Sequence, residues 1–90
     1  MENLIITSHA QARMRQRGIA MQVVETLALY GRRRHAKGAV RIDFDKRARA
    51  RVGKALNLAS MPDHLFNTYL VMNGDKLISV GHRTKRFNWN

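Results

Sequence analysis

The stretch Leu65-Phe66-Asn67-Thr68-Tyr69-Leu70-Val71-Met72-Asn73-Gly74-Asp75-Lys76-Leu77-Ile78-Ser79-Val80-Gly81-His82 decides the architecture. Two apolar runs flank Asn73-Gly74, a pair in which both residues tolerate positive φ and which marks a two-residue hairpin turn. With Asn73 and Gly74 as the turn, Met72 faces Asp75, Leu70 faces Leu77, Tyr69 faces Ile78 and Leu65 faces His82. Both faces carry apolar residues, which predicts central strands covered on part of each side. The second strand extends, on this reading, through Arg83-Thr84-Lys85-Arg86-Phe87.

Upstream, Pro62-Asp63 marks a turn. From Lys46 to Asn57, the apolar Ala48, Val52, Ala55 and Leu56 have helical spacing, and Asp45 suits a cap. Gly53 costs such a helix about 1 kcal/mol relative to alanine. A short helix is predicted there, with a basic loop as its rival. Val40, Ile42 and Phe44 alternate with Arg41, Asp43 and Asp45, the period of a strand with one buried face and its acids pointing outward. Gly31 to Gly38, Gly-Arg-Arg-Arg-His-Ala-Lys-Gly, reads as a basic loop. Met21 to Tyr30 reads as a helix, because Ala20, Val23, Val24, Leu27, Ala28 and Gly31 follow one helical stripe. Ser8 to Arg17 reads as another, with Ser8 and Gln11 as a capping box and Gly18 as the stop. Leu4, Ile5 and Ile6 form a short strand or an apolar lead-in. Segregated helices and antiparallel strands predict an α+β fold: two N-terminal helices packed on a small antiparallel sheet with a C-terminal hairpin.

Composition bounds the function. Ninety residues predict one domain spanning residues 1–90, with a small core. Seventeen Lys and Arg against six Asp and Glu give a formal charge of +11. Such a field attracts polyanions: nucleic acid first, an anionic membrane surface second and an acidic protein third. There is no apolar run long enough to span a membrane and no basic-then-apolar leader, so a cytoplasmic protein without a membrane partner is expected. With no cysteine there is no disulfide framework, zinc finger or thiol chemistry. No phosphate loop and no His-Glu-x-x-His pair occur, and no cofactor is expected. Asp43 and Asp45 read more simply as an outward face than as magnesium ligands, so any nuclease activity is expected to be metal-independent.

Three constellations suit a polyanion. His9, Arg13 and Arg17 sit at i, i+4 and i+8 on one helical face. The plain reading is a solvated face; an anion lying over it would relieve the repulsion between these like charges. His82-Arg83-Thr84-Lys85-Arg86 ends the hairpin. Attack of a ribose 2′-OH on its own phosphate needs a proton acceptor, a proton donor and positive charge at the developing phosphorane. Histidine titrates near neutrality and serves the first needs; arginine and lysine serve the last. On the plain reading these are strand residues and a solubilising tail. The block Arg32 to Lys54 holds ten of the seventeen basic residues. Arg32, Arg33, Arg34, Lys37, Arg47, Arg49 and Arg51 are its candidate phosphate contacts. Tyr69 suits the support of an acid–base site but reads more simply as a core residue of its strand, and Tyr30 reads as a core or rim residue.

Ser8-His9-Ala10-x-x-Arg13-Met14-x-x-Arg17-Gly18-Ile19 resembles the opening helix of a small bacterial domain-of-unknown-function family allied to the RelE toxins. Tyr69 to Met72 and Leu77 to Arg83 resemble the last two strands of that fold. The resemblance implies the barnase–EndoU–colicin–RelE fold, whose members often cut RNA without a metal as toxins neutralised by an antitoxin. Carried over, it implies one RNA-binding surface lined by His9, Arg13, Arg17, His82 and Arg83. Some RelE-type toxins end with a functional tyrosine; here the end is Arg86-Phe87-Asn88-Trp89-Asn90.

The leading expectation is a small RNA-binding protein acting as a metal-independent, toxin-type endoribonuclease. His9, His82 and Arg83 are its catalytic candidates. Arg13, Arg17, the seven candidates of the central block, Lys85 and Arg86 hold the nucleic acid. The alternatives are a non-enzymatic nucleic-acid-binding module and an interaction domain for an acidic partner such as an antitoxin, docked on an exposed hairpin edge.

Overall fold

The computed structural model describes residues 4–57 and 63–82, with the side chains of Ala36, Asp63 and His64 excepted. In chain order the elements are β1 (Ile5–Ile6), α1 (Ser8–Arg17), α2 (Met21–Tyr30), β2 (Arg32–Ala36), β3 (Ala39–Asp43), α3 (Lys46–Ala55), a 3-10 helix (Asp63–Asn67), β4 (Thr68–Asn73) and β5 (Lys76–His82). The chain is α+β. The strands form one sheet in the order β1-β5-β4-β3-β2. It is mixed rather than purely antiparallel, because β1 runs parallel to β5.

The helices form where they are predicted: α2 and α3 on their apolar stripes, α1 between its start and stop signals. The cap of α1 is Thr7, not Ser8: its hydroxyl accepts from the Ala10 N–H at 3.2 Å and donates to the Leu77 carbonyl at 2.9 Å. One threonine therefore starts the helix and ties it to β5. Gly18 ends α1 at φ +66, the left-handed cap that glycine adopts without a Cβ penalty. Val23, Val24 and Leu27 of α2 are fully buried against Ile42 and Leu70 in one core cluster. The third helix forms too: Ala48 and Val52 are buried, and the Asp45 carboxylate accepts from the Ala48 N–H at 2.8 Å.

Two strand expectations need correction. Gly31–Gly38 is not a loop; Arg32–Ala36 is β2, paired antiparallel to β3. Its turn is Lys37-Gly38, with φ of +50 and +79, the sign that a two-residue type I′ turn demands at both positions. The C-terminal turn is Gly74-Asp75 rather than Asn73-Gly74, since Asn73 pairs with Lys76 and only Gly74 there has positive φ. Met72 pairs with Leu77 but Val71 pairs with Ser79, so Ile78 is the extra residue of a β-bulge. The bulge switches the side-chain phase of β5. Leu77 and Val80, three apart, are therefore both buried. His82 consequently pairs with Thr68, not Leu65. The predicted extension to Phe87 lies outside the described residues, as does Pro62.

The helices cover one face of the sheet, on which Ile42, Leu70, Met72, Leu77 and Val80 are buried. Among the described residues no helix packs on the other face. Strand alternation assigns Arg32, Arg34, Arg41, Asp43, Tyr69, Val71 and Gly81 to that second face.

Candidate nucleic-acid interface

The second face is organised around a buried acid. Asp43, expected to point outward into solvent, has a side chain only 1% exposed. Pairing of β2 with β3 sets Arg32 opposite Asp43 and Arg34 opposite Arg41. Arg32 Nη2 donates to one Asp43 oxygen at 3.3 Å, and Arg34 Nη2 to the other at 3.0 Å. Arg41 Nε lies 3.5 Å from that second oxygen. One carboxylate thus gathers three guanidiniums, leaving a local excess of positive charge. Arg32 also reaches Asp45 at 3.8 Å, which joins this cluster to the start of α3.

Tyr69 belongs to the same face and is not a core residue. It is half-buried, and the Arg41 guanidinium stacks on its ring at 4.3 Å from the centroid. Beneath the ring is Gly81: a Cβ there would sit 2.7 Å from the phenol oxygen. The missing side chain is what lets the ring lie against the strand.

The other predicted cations divide by what holds them. Arg33 Nη2 donates to the Ala28 carbonyl at 2.8 Å, and Arg51 Nη2 to the Tyr30 carbonyl at 3.0 Å. Both satisfy carbonyls in the last turn of α2, a favourable place for positive charge. The Arg49 guanidinium lies 4.6 Å from the Phe66 ring centroid, and Phe66 meets Phe44 edge-on at 5.2 Å. Arg47 points outward from α3, and Lys37 sits exposed at the β2–β3 turn. On α1, His9 and Arg17 are exposed, while Arg13 is half-buried with its Nε enclosed and without a hydrogen-bond partner. The stripe therefore straddles the edge of the α1 contact. His82 is half-buried on the helix-covered face, across from Thr68. Arg83, Lys85 and Arg86 lie outside the described residues.

Helix α3 is the densest basic element. Lys46, Arg47, Arg49, Arg51 and Lys54 are all exposed, and its ten residues include no acid. Lys46–Arg49, Arg47–Arg51 and Arg51–Lys54 are like-charge pairs at helical spacing, each destabilising by a few tenths of a kcal/mol. Burial of Ala48 and Val52 and the Asp45 cap offset this. The cap hydrogen bond from Ala48 lowers the Asp45 pKa below the usual carboxylate range; burial opposes it, and Arg32 and Arg51 add to the lowering. A lowered carboxylate pKa stabilises the fold above the unfolded value, about 3.9, and the contribution fades as pH falls through the folded value. Denaturation of the wild type below about pH 4 is therefore expected to be steeper with pH than that of Asp45→Asn, which keeps a capping oxygen without the charge. Identical pH profiles would overturn this role.

Arg41 is not among the candidates the sequence offers, and Tyr69 is weighed there for an acid–base site, not as a partner of Arg41. The signal was present: reading Lys37-Gly38 as a turn would have aligned Arg32 and Arg34 with Asp43 and Arg41. Among the described residues no group of three or more His, Asp or Glu gathers around one metal position, and no helix is long and apolar enough to cross a membrane. Compared with models of protein families, with curated proteins and with solved structures, the chain gives no match.

Proposed function

We propose that this chain is a small RNA-binding protein whose main phosphate-contacting element is α3. The observation that carries the reading is five exposed cations on ten helical residues with no acid among them. A phosphate backbone laid along that helix reverses the sign of its internal repulsion and releases condensed counterions. RNA is preferred to DNA on the resemblance of the α1 motif and the C-terminal hairpin to RelE-allied domains. The RelE-like fold, an acidic antitoxin as partner and a cytoplasmic location belong to the same proposal. Helices on one side of a sheet whose strands β2 to β5 are antiparallel are compatible with it.

A second reading is metal-independent RNA cleavage. It is favoured by the position of His82 on the side of the sheet that α1 covers, the helix that also carries His9. His82, His9 and Arg83 would then work on a phosphate held by the basic surface.

One experiment separates the two. Labelled single-stranded RNA is incubated in EDTA with wild type, His82→Ala and Arg47→Gln/Lys54→Gln, and both mobility shift and cleavage are read. The wild type is expected to shift RNA with an affinity that falls steeply with salt. The double variant is expected to bind more weakly, its salt slope reduced by about 0.7 per lost contact. Cleavage lost in His82→Ala with the shift retained supports the second reading. A shift without cleavage leaves binding alone. Affinity independent of salt overturns the proposal.

A further inference from the structure

The second face of the sheet holds a layered arrangement that phosphate contact does not require. Gly81 lies at the bottom, the Tyr69 ring rests on it, and the Arg41 guanidinium stacks above the ring. Arg41 is also tethered to Asp43 and remains 37% exposed. Its guanidinium is thus held from two directions, by the ring and by the carboxylate at its enclosed Nε, while the side chain stays partly open to solvent. Arg34, 53% exposed, and Arg32 stand beside it across the β2–β3 pairing.

The geometry points to a base-stacking subsite for single-stranded RNA: one unpaired base on the Arg41 guanidinium, its neighbouring phosphate on Arg34. This deepens the RNA-binding reading and rests on it. The chemistry fits a nucleotide more closely than an acidic peptide. A carboxylate would be met equally well by any of the exposed cations of α3, and would gain nothing from a flat, tyrosine-backed cation. A base gains from it, because stacking on a guanidinium plane is sequence-tolerant and needs only an unpaired base. Duplex nucleic acid cannot use the subsite without unstacking.

Three probes test it by fluorescence anisotropy: oligouridine, an abasic oligomer of equal phosphate count, and duplex RNA. Arg41→Lys keeps the charge beside Asp43 but removes the plane. Gly81→Ala keeps both Arg41 and Tyr69 but forces the Tyr69 ring off the strand. Both variants are expected to weaken oligouridine binding by about tenfold, without changing its salt slope. Abasic-oligomer binding is expected to stay within about twofold of wild type, since the phosphate contacts remain. Far-UV circular dichroism and a melting curve show that each variant is folded. Oligouridine binding unaffected in both folded variants, or equal weakening for the abasic oligomer, overturns the subsite and leaves phosphate binding standing. Wild-type affinity for duplex RNA equal to that for oligouridine also overturns it. Failure of wild type to bind any of the three overturns the RNA-binding reading itself.

Discussion

Replacing Asp43 by alanine is expected to cost about 3 kcal/mol of folding stability. Its carboxylate is 1% exposed and faces Arg32, Arg34 and Arg41 at 3.0 to 3.5 Å. Removal leaves three guanidiniums close together with their shared counter-charge gone. The expectation sits at the lower end for a broken buried pair, because the arginines are 37 to 53% exposed and water screens their repulsion. For a domain of this size the loss corresponds to roughly 15 °C in melting temperature. Asp43→Asn keeps the shape and one acceptor oxygen, and is expected to fall between wild type and alanine. Urea titrations measure both. A loss under about 0.5 kcal/mol for alanine would mean that β2 is held by its backbone ladder alone. The substitution also separates two kinds of binding. It raises net charge by one, so binding driven only by charge holds or strengthens in the folded fraction. Binding that needs Arg41 held on the Tyr69 ring weakens.

Asp43 also shows where the sequence was legible and where it was not. The helices are legible because each carries a local signal, an apolar stripe in α2 and α3 and start and stop residues in α1. Val23, Val24, Leu27 and Ala28 make a stripe that needs no tertiary information, and Gly18 stops α1 as its backbone freedom suggests. The short α3 was legible for the same reason: Ala48 and Val52 are one turn apart behind an Asp cap. β2 has no such signal. Arg-Arg-Arg-His has no apolar alternation, and its strand is held by partners on other elements, Asp43 of β3 and the Ala28 carbonyl of α2. The hairpin was found but its register was not. Asn73-Gly74 is a strong turn signal in isolation; the Ile78 bulge, which lets Leu77 and Val80 both reach the core, depends on what packs above β5. Of the exposed cations of α3, charge alone makes Arg47, Arg49 and Arg51 candidates; Lys46 and Lys54 are not among them. The Arg41–Tyr69 stack was not legible, because it requires that register and the empty position at Gly81.

Gly31→Ala is expected to destabilise the fold by about as much as the loss of Asp43, for a steric reason rather than a conformational one. Gly31 has φ −71 and ψ 162, backbone that alanine adopts freely. The obstacle is space. A Cβ there would run into the Ile42 side chain, lie 2.7 Å from the Leu27 carbonyl oxygen and 3.1 Å from the Asp43 carbonyl oxygen. Two of the three neighbours are backbone, and the Leu27 carbonyl already accepts the Gly31 N–H at 2.8 Å. Neither can give way without moving the end of α2 or strand β3. Overpacking of this kind costs up to about 3 kcal/mol. Against it stands a gain of about 0.4 to 1 kcal/mol, because alanine restricts the unfolded chain more than glycine does. Gly18→Ala is the matched control: φ there is +66 but the space around it is open, so only the left-handed strain of roughly 1 kcal/mol applies. Urea denaturation of both variants is expected to place Gly31→Ala clearly below Gly18→Ala. The reverse order would show that the α2–β2 junction yields easily. A junction that yields would also loosen the arginines it aligns. Gly31 precedes Arg32, and the close approach it permits brings β2 to lie where Arg32 and Arg34 meet Asp43 and Arg33 meets the last turn of α2. Folded Gly31→Ala protein is therefore expected to bind single-stranded RNA less tightly than wild type, although no basic residue has been changed.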